Sequence, residues 1–382
     1  MLEPQRSVAI LCITWFGIST TGWGQTTPHI SSLEAKLDEA RQALRGIGRA
    51  QSVTTRHYQV LYLGNKRFAE DRARLLESTR GNFMRLIRRL GITIEANHER
   101  CVVIVLDKRQ QMGTFYQRTQ EEGPMPPGLL GYYAPNHNWA VFYNQRSDPA
   151  TQDWERWLNR TARRLLRMPG RANAKINVIN PRGKFTLTKR ELAQEMETQW
   201  ERVIATVREA NAVVTQHEAA HQLAFNAGIQ HRNVHYPAWL SEGLACMFEV
   251  PRSQHGGMGA QRTNQARLAS YRALAKKNGQ FGLAALLQFD PTGKSVNTEA
   301  FYAESWATFA FLFKRYPRNL GGYIRHLSHR RTTASPDAVD VEGTEPTDTP
   351  PPEDELATFQ QFFSIDLDAL QKQFDHYIRR LR

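Results

Sequence analysis

Hydrophobic positions follow two periods along this chain. In its first half, short apolar runs of strand length alternate with longer stretches at helical spacing. Leu33, Leu37, Ala40 and Leu44 share one face of a helix that Ser31-Ser32-Leu33-Glu34 opens with a capping-box sequence. Tyr58, Val60 and Tyr62 alternate as a strand does. From Phe68 to Leu90, an amphipathic helix would turn Leu75, Leu76, Phe83, Leu86, Ile87 and Leu90 inward. Cys101 to Leu106 is a continuous apolar run of strand length, and Lys108 to Gln120 reads as a helix. Tyr132-Tyr133 and Trp139 to Tyr143 flank Pro135-Asn136-His137-Asn138, a turn cluster that predicts a hairpin.

Further along, Trp154, Trp157, Leu158, Leu165 and Leu166 share a side of a helix that Pro169-Gly170 ends. Ile176 to Ile179 and Phe185 to Leu187 read as short strands around Asn180-Pro181-Arg182-Gly183, and a helix is expected from Glu191 towards Asn226. The second half is mainly helical: Pro237 to Phe248, Asn264 to Lys277, Leu283 to Leu287, Thr298 to Lys314 and Leu367 to Leu381. Strands concentrated early and helices late, without an internal repeat, place the chain in the α+β class.

The chain has 382 residues, 41% of them hydrophobic, ample for one large domain or two smaller ones. Its net charge of +13 is unevenly spread. Between Arg156 and Arg190 there are eleven Lys and Arg and no acid. Thr332 to Glu355 holds eight acids, five prolines and no Lys or Arg, the composition of a disordered linker or long surface loop. The basic stretch admits three readings. It is a solvated helix and hairpin, a docking surface for an anionic cell-envelope polymer or acidic protein, or a counterpart for the acidic segment.

The first residues bear on which partner a basic chain meets. Arg6, the apolar stretch from Ser7 to Ile18, and Gly22-Trp23-Gly24 have the layout of a secretory signal with cleavage near Gly24. The apolar stretch is shorter than the roughly 20 residues a membrane span needs. The expectation is an exported protein, periplasmic or extracellular, with no nucleic-acid partner and no stable membrane span after cleavage. Export leaves Cys101 and Cys246, either as one disulfide or as two buried thiols. The domain reading is then 1–24 signal peptide, 25–55 N-terminal helical segment and 56–251 core, with a basic insertion at 150–190. A helical subdomain at 252–331 and an acidic linker at 332–355 follow. A C-terminal helix at 356–382 packs back on the helical subdomain.

The chemistry concentrates in His217-Glu218-Ala219-Ala220-His221. Residues four apart project from one helix face, so both imidazoles can reach a single ion. Glu218 follows His217 directly, where a carboxylate can take a proton from metal-activated water without itself ligating. A catalytic zinc needs a third protein ligand and an open position. Glu242 in Trp239-Leu240-Ser241-Glu242-Gly243-Leu244-Ala245 lies 21 residues after His221 on the next predicted helix, room enough for a helix, a turn and a return.

HEAAHQLAFNAG followed by YPAWLSEGLACMFEVP resembles the gluzincin metallopeptidases of the peptidase-MA type. Within that group it is most similar to an exported bacterial family without an assigned activity. The resemblance extends over roughly Arg56 to Leu381 and is tightest from Thr215 to Pro251. It implies a zincin-like fold, with a small mixed sheet packed on the HExxH helix. It implies Zn2+ on His217, His221 and Glu242, Glu218 as general base and proton shuttle, and a peptide or protein substrate. Phe301 to Ala307 also matches the family. Such relatives often carry a tyrosine on this helix that hydrogen-bonds the oxyanion, which makes Tyr302 a candidate beside its alternative as a core residue. An exposed edge strand beside the zinc helix would pair with an extended peptide, and Trp139 to Tyr143 is the expected edge.

Two departures stand out. Thermolysin-like members place an acid four residues beyond the glutamate ligand to orient a histidine, and here that position is Cys246. Glu249, seven residues past Glu242 and on the same face, offers a weaker substitute, and Cys246 as a zinc ligand is an alternative. His231 and His235 are read as loop histidines. The competing functional reading is a catalytically inactive, zinc-stabilised module that binds envelope polymers or proteins. Glu218 argues against it, because a binding module has no use for a general base.

Overall fold

The structure, a computed structural model, describes residues 32–94, 99–119, 124–180, 183–231, 236–249, 263–289, 297–329 and 355–381. The proposed signal peptide and nearly all of the acidic segment lie outside the described residues. The fold is α+β, a mixed sheet in the first half and helices in the second.

Helix α1 (Leu33–Leu44) precedes strands β1 (Gln51–Thr54) and β2 (Tyr58–Tyr62). Helix α2 (Lys66–Arg89), strand β3 (Cys101–Leu106), helix α3 (Arg109–Thr119) and the hairpin β4 (Gly131–Ala134) and β5 (Trp139–Tyr143) complete the sheet region. The sheet order is β1-β2-β3-β5-β4. β2, β3 and β5 run parallel, joined by crossovers through α2 and α3, while β1 and β4 are antiparallel additions at the two edges. The central strands are buried on both faces, so alternation becomes continuous apolarity. Leu61, Val102, Ile104, Trp139 and Val141 face α1 and α3. Val60, Val103, Val105, Ala140 and Phe142 face the opposite layer, together with residues of α2 and Val213, Val214 and Ala219 of the long helix described next.

Helix α4 (Pro149–Arg167), the hairpin β6 (Lys175–Asn180) and β7 (Gly183–Thr188), and the first part of helix α5 (Lys189–Asn226) form an arm. α5 is a single helix of 38 residues, opened by a full capping box between Thr188 and Glu191. The second half contains α6 (Ala238–Cys246), α7 (Gln265–Ala275), α8 (Leu283–Leu287), α9 (Thr298–Arg315), α10 (Pro317–Ser328), α11 (Glu355–Phe363) and α12 (Leu367–Arg380). Trp239, Trp306, Phe309, Tyr323 and Phe359 anchor its core. No described helix is long and apolar enough to cross a membrane.

Several sequence expectations need revision. Ser32 caps α1 through the Ala35 N–H, and with alanine at that position no reciprocal glutamate closes a capping box. Residues 51–54 belong to the sheet rather than to a helical segment. β5 is internal and β4 is the edge, because β5 inserts between β3 and β4. Leu166 is 80% exposed, since α5 covers the Leu158 and Leu165 side of α4 instead. The C-terminal region is two helices, broken where Ser364 takes a positive φ of 47°. Cys101 and Cys246 are both buried free thiols.

Candidate metal centre

The second half of α5 is buried on every side, from Ala210 to Ala224. Such a helix cannot rely on an apolar stripe for orientation, so polar side chains fix it. Gln222 donates to the backbone carbonyls of Val102 at 2.9 Å and Asn138 at 2.8 Å, pinning the helix to β3 and to the β4–β5 turn. Asn226 bonds Asn138 and the Cys101 thiol. Beyond the other end of β5, Asn211 accepts the Gln145 N–H.

Two glycines then allow close approaches that carry the site. A Cβ at Gly131 would lie 2.5 Å from Val214 Cγ1 and 3.2 Å from Glu218 Cγ, so only glycine lets β4 lie directly on α5 at Glu218. A Cβ at Gly243 would lie 2.5 Å from the Ser305 carbonyl oxygen. α6 therefore crosses α9 at backbone distance, with Glu242 turned toward α5.

The outcome brings His217, His221 and Glu242 together. The two Nε2 atoms are 3.1 Å apart, and Glu242 approaches them at 3.2 Å and 3.5 Å. Three donors around a tetrahedral ion with arms of about 2.0–2.1 Å would be separated by about 3.3–3.4 Å. The observed triangle has that size, so the residues fit a divalent metal. All three side chains are buried, at 0%, 3% and 1% exposure. Burial alone would raise the Glu242 carboxyl, but His221 and His217 outweigh it and hold the group at about 2. Burial also lowers the pKa of His221, keeping it neutral and able to ligate.

The outer nitrogens are fixed as well. His217 Nδ1 lies 2.9 Å from Glu249, and His221 Nδ1 lies 3.4 Å from the Ser241 hydroxyl, which accepts a hydrogen bond from Gln230. Glu249 thus fills the orienting position left open by Cys246. It accepts two hydrogen bonds of 2.7 Å from Arg267 of α7, a third from Asn264 and a weaker one from the Cys246 thiol. Arg267 and His217 outweigh desolvation and hold the Glu249 carboxyl far below its usual range. Burial pushes the Cys246 thiol up to about 11. His217, Cys246 and Glu249 also cluster at ligand distance. In that group both Glu249 oxygens are already engaged by Arg267.

Glu218 stands apart. It is fully buried, and neither carboxylate oxygen has a hydrogen-bond partner of normal geometry among the described residues. Desolvation, with His217 and the Tyr133 backbone N–H opposing and Glu242 and Glu249 adding to it, pushes it up to about 8. Tyr302 of α9 is buried with its ring edge-on to His217, centroids 6.2 Å apart, and the Arg267 guanidinium lies 5.1 Å from its centroid on another side. His231 is exposed in the loop after α5, and His235 lies outside the described residues.

Sequence reasoning singled out five residues that the fold gathers: His217, Glu218, His221, Glu242 and Tyr302. It missed Arg267, Asn264, Ser241 and Gln230. The spacing of Glu249 from Glu242 was the one available signal for the outer shell. Arg267 gives none, since it reaches the site from a separate helix.

One protein-family profile, described as "Protein of unknown function (DUF1570)", matches residues 211–334. The matched segment contains every side chain of the centre just described. No curated protein and no solved structure matches the chain.

Proposed function

We propose that this protein is an exported zinc-dependent metallopeptidase, with His217, His221 and Glu242 holding Zn2+ and Glu218 moving the proton. Two imidazoles and a carboxylate form a donor set suited to zinc. When bound, the ion supplies Lewis acidity, polarising a carbonyl and bringing water within reach of deprotonation near neutral pH. Glu218 accepts the proton from water and returns it to the leaving amine. Tyr302 is proposed to donate a hydrogen bond to the oxyanion. Export rests on the signal-like layout of residues 1–24.

The observation that carries this reading is Glu218. Burial pushes its carboxyl up to about 8 against the pull of His217 and the Tyr133 backbone N–H, and packing alone gives no reason to retain so desolvated an acid beside a three-donor cluster. A structural zinc closes its shell with four protein ligands, whereas this cluster offers three and a base. The edge strand β4 lies beside Glu218 and pairs only with β5 among the described residues, which supports an extended peptide as substrate.

One observation favours the non-catalytic zinc module: the site side chains are 0–3% exposed. The two readings separate in a cleavage assay on unfolded casein and a peptide library. The peptidase reading expects cleavage that a chelator stops and zinc restores. Tight stoichiometric zinc with no cleavage of any peptide would decide for the module.

A further inference from the structure

We propose that the outer face of α4 is a docking surface for an anionic lipid bilayer. The inference is independent of the metal centre. Arg156, Arg160, Arg163 and Arg167 recur at i, i+4, i+7 and i+11, which at 100° per residue confines them to about 60° of the helix circumference in a stripe about 16 Å long. All four are exposed, and Arg164 flanks them. Arg156 pairs with Asp153, but Arg160, Arg163, Arg164 and Arg167 make no ion pair or side-chain hydrogen bond with a described residue. Like charges one turn apart repel, so the stripe is not a device for helix stability.

The rest of the arm gives the stripe a direction. The opposite side of α4 is closed by Leu158, Leu165, Trp154 and Trp157 packed on Met196 and Val203 of α5. α4 has no other substantial neighbour among the described elements except the short turn at Gln145–Ser147. The first part of α5 instead carries Glu191, Glu195, Glu197, Glu201 and Glu209 among four basic residues. The α4 side of this polarised arm, rather than its α5 side, is the one suited to an anionic surface.

An apolar side chain selects the bilayer over a soluble polyanion. Leu166, at i+3 from Arg163 on the flank of the stripe away from Arg164, is 80% exposed, and Ile204 on α5 is 54% exposed. These two are the exposed large hydrophobic side chains of the described residues, and both lie on the arm. A polyanion chain has no use for Leu166, whereas the interface of a bilayer accepts a leucine among arginines.

The test is co-sedimentation of the full chain with phosphatidylcholine vesicles with and without phosphatidylglycerol, across a salt series. The expected result is binding only with phosphatidylglycerol, weakening as salt rises. Each Arg→Gln change in the stripe should weaken binding about fivefold. The joint R160Q/R163Q/R164Q/R167Q variant should lose it, and the matching Arg→Lys variant should keep it. Leu166→Ser should weaken vesicle binding about tenfold. Failure of the wild type to bind phosphatidylglycerol vesicles at low salt would overturn the proposal. So would binding that survives the four Arg→Gln changes. Vesicle binding indifferent to Leu166→Ser, matched by equal binding to polyphosphate, would overturn it in favour of polymer docking.

Discussion

The two halves of α5 belong to one helix and obey opposite rules. From Lys189 to Glu209 the helix is exposed and charged, held to α4 by a small cluster around Leu158, Met196 and Val203. From Ala210 to Ala224 it is buried all round and carries Asn211, Gln216, His217, Glu218, His221 and Gln222 in the core. The outer half is built from side chains whose loss the fold tolerates. The inner half is built from buried polar groups, and Glu218 is the carboxylate among them neither of whose oxygens has a hydrogen bond of normal geometry to a described residue. The candidate metal centre sits where burial is most demanding, and the basic face of the arm sits where it is least.

The contrast breaks most severely at the ligands. His221→Ala and Glu242→Ala should each abolish stoichiometric metal. In the wild type, removing zinc by chelation should lower stability by roughly 4 kcal/mol if free zinc had stood a thousandfold above its Kd. Neither variant should respond to chelator in the same thermal scan.

Next in size is the outer shell. Arg267→Met leaves Glu249 charged, buried and without its clamp, and should cost about 3–5 kcal/mol in denaturant unfolding. Glu249→Gln should weaken zinc affinity about 10–100-fold by freeing the His217 ring. The double variant should be less destabilised than Arg267→Met alone, because it no longer strands a charge.

Glu218 sets the pH dependence of the metal-free protein. Its carboxyl is raised from 4.5 to about 8 by burial, so its neutral form suits the fold. Its contribution is complete below pH 4.5 and is lost as pH rises through 8, a change on the order of a few kcal/mol. Glu218→Gln should remove that alkaline loss. The metal-free variant should therefore melt higher than metal-free wild type at pH 9 and about equally at pH 5. A smaller effect, about 1–3 kcal/mol, is expected for Gly131→Ala, whose Cβ would push β4 off Val214 and Glu218. Smallest of all, Arg160→Gln and Arg163→Gln on the arm should change stability by less than about 0.5 kcal/mol and leave metal binding intact.

Legibility in the sequence follows the same division. The Cys101–Leu106 strand, the β4–β5 hairpin and the helices bearing His217 and Glu242 were readable, because period and turn chemistry are local. The edge of the sheet was not, because strand order depends on a crossover that chain order does not report. Leu166 was grouped with Leu158 and Leu165 on one side of α4, but sequence does not report where on that side the neighbouring helix stops. The HExxH spacing and Glu242 pointed to the three donors that the fold gathers, whereas the Glu249–Arg267 clamp arises from tertiary contact between α7 and the residues after α6. α10 has no counterpart among the sequence expectations; its Pro317 occupies a first-turn position that tolerates proline.

The most direct test compares zinc content and peptide turnover of wild type and Glu218→Gln, each loaded with zinc. The account predicts one zinc per chain in both proteins, with cleavage in the wild type and a loss of at least several hundredfold in the variant. Equal turnover in the two, or wild-type turnover that persists after zinc is removed, would contradict it.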